Sequence, residues 1–167
     1  MFTRIKDFEY WWPQQIEKTQ KVMKHLNDRS LAHEVAPGAR TLGRIAWHVV
    51  QTIPEMMSHT GLKVEGPSES APVPTSARVI ARAYDESAQS LLKEVASKWT
   101  DETLEVKDQM YGQVWKRGDT LAALIFHEIH HRGQMIVLMR QAGIKVPGVY
   151  GPAKEEWALY GMPVPEV

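Results

Sequence analysis

The sequence predicts an all-α protein, a four-helix bundle with one long crossover connection, and three observations carry that expectation. Apolar residues recur at three- and four-residue spacing in four separate stretches. The ten prolines leave the stretch from Thr75 to Val146 free, so long helices fit there. A single Pro-, Gly- and Ser-rich segment, residues 61–76, reads as the connection between the second and third helices.

The first apolar stripe is Ile5, Phe8, Trp12, Ile16, Thr19, Met23 and Leu26. Because Pro13 favours a first turn, helix one is expected over about residues 13–27 with an aromatic lead-in. Thr41 can cap a second helix whose Leu42, Ile45, Ala46, Val49, Val50 and Ile53 share a face, with Pro54 in its last turns and Gly61 at its stop. Helix three is expected from about Ser76 to Lys98, with Ile80, Tyr84, Leu91 and Val95 inward and Arg82 to Glu86 as an exposed pair. Residues 104–117 alternate loosely around Gly112 and predict a short hairpin or an ordered loop. Asp119 or Thr120 caps a fourth helix running to about Gln141, closed by Gly143 and Pro147. Its apolar residues surround most of the helix, which makes it the most buried of the four. Pro152 and Gly161 bracket a short terminal helix that docks Trp157.

Composition narrows the function. The 167 residues suit one domain, residues 1–167, and 20 basic against 20 acidic residues leave no footprint for nucleic acid. With no cysteine there is no disulfide, thiolate nucleophile or cysteine metal site, which fits a reducing cytosol. No apolar run reaches a membrane span and the N-terminus has no signal-like apolar region, so a soluble, cytoplasmic protein is expected. Any metal must be held by His, Asp or Glu.

The informative cluster is HEIHHRGQM in the fourth helix. His127 and His131, four residues apart, stack on one face, whereas His130 projects roughly 100° away. Such a pair reads either as core histidines bonded to carbonyls or carboxylates, or as two ligands of one ion. His48 in helix two is the natural third ligand, although its wheel position, about 120° from the apolar stripe and beside Arg44 and Glu55, also suits a solvated histidine. Glu55 is expected as an exposed carboxylate, with a fourth ligand as the alternative. Gln134 either bonds a metal-bound water or serves as a helix-contact amide. Glu128 and Arg132 read as a structural buried ion pair. Gly133, which costs about 1 kcal/mol against Ala inside a helix, implies a close helix approach in the bundle or a dimer. The six tryptophans are expected mostly in core or interface, with some available to line a pocket; His25, His33 and His59 are expected to be exposed.

Taken together, TLGRIAWHVVQ and IFHEIHHRGQMIVLMRQAGIKVPGVYGP resemble the DinB superfamily of four-helix-bundle metalloproteins over nearly the whole chain. The matching positions are His48, the HxxxHRGQ motif beginning at His127 with His131, and Arg140, Gly143 and Pro147. The resemblance implies a divalent ion, zinc or nickel first, held by His48, His127 and His131, and a homodimer. It also implies metal-dependent transfer of a low-molecular-weight thiol, since some relatives use bacillithiol or mycothiol. It fixes no catalytic acid or base. A metal-dependent hydrolase and a non-catalytic, stress-associated metal-binding bundle are the alternatives, and fold membership does not choose between them.

Overall fold

A computed structural model describes residues 1–166. Four helices form the molecule: α1 (Ile5–Met23), α2 (Leu42–Ser58), α3 (Ala77–Lys98) and α4 (Arg117–Gln141). Helix α2 packs against α3 and α4, and α1 packs against the same two, so α1 and α2 lie on opposite corners of the bundle. The connection from α2 to α3 runs back along α2, from Gly66 beside Pro54 to Ala71 beside Trp47, and is tied down by α2 itself. Trp47 Nε1 donates to the Ala71 carbonyl at 3.1 Å, and the Gln51 amide donates to Ser68 and Glu69 carbonyls at 2.6 and 3.0 Å.

Helix α1 starts at Ile5, well before Pro13, which sits inside it. The carboxylate of Asp101 accepts the Ile5 amide at 2.7 Å, and Arg4 pairs with Asp7 in the first turn. The Asp101 bond satisfies an amide of the helix start from elsewhere in the chain, which no local pattern signals. The helix also stops at Met23 because Asn27 caps a following 3-10 turn, with its side chain accepting the Ser30 amide. Phe8 and Trp12 are fully buried, and the Trp12 indole donates to the Ala88 carbonyl of α3 at 3.0 Å.

The alternating segment after α3 is a hairpin, β1 (Lys107–Met110) with β2 (Gln113–Lys116), paired antiparallel. Tyr111 and Gly112 turn it with φ of 51° and 81°, the pair of positive values that a type I′ turn needs. Gly118 near the start of α4 is required sterically, since a Cβ would stand 2.0 Å from the Phe2 carbonyl oxygen. The terminal segment forms only a 3-10 turn, Trp157–Tyr160, in place of the expected helix. Its Glu156 carboxylate accepts the Gly148 and Ala153 amides at 3.0 Å each and folds the tail on itself. Trp157 is half-buried.

No helix is long and apolar enough to cross a membrane among the described residues. Trp12, Trp47 and Trp99 are core; Trp11 is exposed on α1.

Candidate metal centre

Helices α2 and α4 bring together the three histidines that the sequence singles out. The wheel position of His48 off the main stripe is real, but α4 packs on that flank, so the ring is half-buried rather than solvated. His48 Nε2 lies 3.1 Å from His127 Nε2, which lies 3.1 Å from His131 Nε2. One ligand atom from each of the three falls within 4.8 Å of the others. His130 is exposed and stands outside this group.

The arrangement has an electronic cost that a cation removes. His131 Nδ1 lies 2.7 Å from Gln134 Oε1, an acceptor, so Nδ1 carries the proton and Nε2 offers a lone pair to the cluster. His127 Nε2 has at most one proton for two neighbouring nitrogens. Imidazole nitrogens about 2.0–2.1 Å from a tetrahedral zinc lie about 3.3 Å apart, close to the separations found here. The donor set therefore fits a divalent ion of the nitrogen-preferring kind. Gln134 contacts the His131 ring itself, orienting the ligand, where the sequence suggested a water or a helix contact.

Burial is the main reason that these rings resist protonation. It lowers His48 to about 4, helped by His127, His131, Arg40 and Arg44. His127 is likewise lowered to about 4, by burial first and then by His131, His130 and Arg40. His131 is lowered by burial, against the opposing bond to Gln134. Neutral imidazoles at neutral pH are the form that a metal requires.

The DinB family model matches residues 1–166. The chain belongs to the DinB family. The chain is 45% identical to the uncharacterized protein YrdA of Bacillus subtilis (strain 168) over 167 residues, the full length of both. The crystal structure of a DinB-like protein from Bacillus cereus ATCC 10987 superposes with a TM-score of 0.86 at 47% identity, covering 90% of this chain and 100% of that one. A second DinB-like protein, YjoA of Bacillus subtilis, shares the fold with a TM-score of 0.68 at 15% identity, covering 88% of this chain and 99% of that one.

Two clefts flank the histidines of this DinB-family chain. One, of about 530 Å³, opens on His131 and is lined by Val35, Arg40, Ile45, Gln134 and Val137 among others. The other, of about 360 Å³, opens on His48 and His127 and is lined by Glu55, Glu69, Tyr111 and Trp115. Glu55 is half-buried and not a member of the ligand group; Tyr111 donates to its Oε2 at 2.7 Å, and His59 Nε2 lies 3.1 Å from Oε1. Tyr111 escapes sequence reasoning because a tyrosine at positive φ is unusual in a turn that favours Asn or Asp. Arg40 had no signal either, since only the folded loop carries it to the site.

Glu128 and Arg132 form the expected structural pair. Thr19 and Tyr84 donate to Glu128 Oε1 at 2.7 and 3.0 Å, while Arg132 donates to Thr19, Gln15 and Tyr150. Burial lifts the Glu128 carboxyl to about 7 against the pull of Thr19, Arg132 and Tyr84, and its Oε2 is buried without a partner. Gly133 faces no neighbouring element in the chain, so the close approach expected there is not made within the bundle.

Proposed function

We propose that this DinB-family chain is a divalent-metal-dependent transferase that joins a low-molecular-weight thiol to an electrophilic carbon. The observation that carries the reading is the convergence of His48, His127 and His131 through nitrogens 3.1 Å apart, with a cleft on either side. The three histidines hold the ion, zinc or nickel, and Gln134 fixes the tautomer of His131. When bound, a divalent ion with three neutral ligands supplies Lewis acidity that favours thiolate over thiol at neutral pH.

The chain's own residues handle the proton. Glu55, held by Tyr111 at the mouth of the cleft that opens on His48 and His127, accepts the proton from the thiol. As the sulfur–carbon bond forms, the bond to the leaving group breaks, and Glu55 returns the proton to that group. Support for catalysis over storage comes from Glu55 and the tail. The carboxylate is engaged with Tyr111 and His59, and the tail is tied to α1 and α4 through Lys21 and Arg140. Neither belongs to the group of possible ligands.

The same reading includes a homodimer. An apolar cleft between α1 and α4 lined by Phe2, Trp11, Phe126, Ile129 and Tyr150 supports it, because Trp11 and Phe126 are about half exposed. Light scattering at micromolar concentration should show twice the chain mass; a single 19.0 kDa species contradicts it. The activity is tested by following consumption of bacillithiol or a related thiol with an electrophile. Faster consumption with metal-loaded than with metal-free protein supports transfer. Metal binding without thiol consumption favours the storage reading, and ester or amide cleavage without thiol favours a hydrolase.

A further inference from the structure

The cleft on the His131 side is almost wholly apolar and has one cation at its rim. The loop over residues 33–41 forms one wall, and Ile45, Val137 and Leu138 supply apolar surface. The Glu34–Thr41 bridge and the bond from the Leu42 amide to the His33 carbonyl, 2.8 Å, close the base of that loop and fix Arg40 just ahead of the α2 cap. Arginine ion pairs among the described residues belong to Arg4, Arg82, Arg117, Arg132 and Arg140. Arg40 is exposed and in none of them, yet its charge reaches all three histidines.

The two clefts differ in charge. Glu55 and Glu69 line the one on the His48 and His127 side, whereas no carboxylate lines the one containing Arg40. A cationic ligand would meet only repulsion there, and a neutral one would leave the guanidinium unused. An anion on an apolar body satisfies both the head and the walls. Gly133 forms part of the floor, and a Cβ there would meet nothing within 4 Å, so the glycine keeps space clear beside His131.

We infer that this cleft is the subsite for the second substrate, an apolar molecule bearing a carboxylate that rests on Arg40, with its body against Ile45, Val137 and Leu138. The identity of the occupant as a substrate rests on the transferase reading; the charge preference of the cleft does not.

The test is calorimetric titration of the full chain, metal-free and zinc-loaded, with 4-phenylbutyrate, 4-phenylbutanol and 4-phenylbutylamine. The acid should bind about tenfold more tightly than the alcohol in both forms, and the amine weakest. Arg40→Gln should erase the preference for acid over alcohol while zinc stoichiometry stays the same. Gly133→Leu should weaken acid and alcohol alike and raise the melting temperature, because it fills the cleft while improving helix propensity. Equal binding of acid and alcohol, or an Arg40→Gln protein that keeps the preference, overturns the inference. So does a Gly133→Leu protein that falls from twice the chain mass to once, since a second copy would then be what covers the cleft. A wild-type protein that takes up no zinc overturns the metal-dependent reading, and a preference for acid over alcohol in that same protein leaves the charge-selective cleft standing.

Discussion

Gln134 Oε1 lies 2.7 Å from the Nδ1 of His131, one turn back along α4, and this contact decides which nitrogen of the ring faces His127 and His48. A glutamine at that spacing acts on the ring without touching the other two histidines.

Gln134→Ala is therefore expected to weaken divalent-metal affinity by about 10–100-fold while leaving the stoichiometry at one ion per chain. Competition against a chromophoric chelator measures this. An affinity equal to that of the wild type would show that the contact orients nothing.

The four helices and the His127–His131 pair were legible in the sequence because each rests on a local period, three and four residues for the buried stripes and four for the pair, whereas His48 has no such period and joined them as a ligand only through the resemblance to the DinB superfamily. The early start of α1 was not, since its cap is Asp101, distant in the chain. The same limit hid Arg40 and Tyr111. Their roles depend on how a loop and a hairpin lie over α2 and α4, and neither placement has a sequence period. The terminal helix failed because Glu156 bonds amides of its own segment and holds it in tight turns.

Glu55→Gln should lower thiol-transfer turnover about 100-fold or more with metal content unchanged, because the amide cannot accept the proton. Tyr111→Phe, which removes the bond to Glu55 Oε2, should shift the pH profile of the reaction with a smaller loss. Full activity in Glu55→Gln would remove this residue from the mechanism.

The buried ion pair predicts a stability effect separate from the metal. At pH 8, Glu128→Ala leaves the Arg132 guanidinium buried without its carboxylate and should cost about 3–5 kcal/mol in urea unfolding. Replacing both residues together by apolar side chains should cost less than this single change. Equal losses would show that the charges are not coupled.

In the metal-free protein, His48 and His127 should titrate near pH 4 by NMR of the ring protons, against the ordinary 6.5. The sign of the linked stability follows. The unfolded chain takes up these protons at about 6.5 and the folded chain only near 4, so this pair favours unfolding increasingly as pH falls across that window. His48→Ala and His127→Ala should each flatten the acid side of the stability profile. Ring titrations near 6.5 would contradict the burial of the site.

The most direct measurement of the central claim is elemental analysis of untagged protein and of four variants purified alongside it. Wild type and His130→Ala should each retain one divalent ion per chain, whereas His48→Ala, His127→Ala and His131→Ala should each lose it. Full metal content in any of those last three, or loss of metal in His130→Ala, would contradict a centre built from the three converging nitrogens.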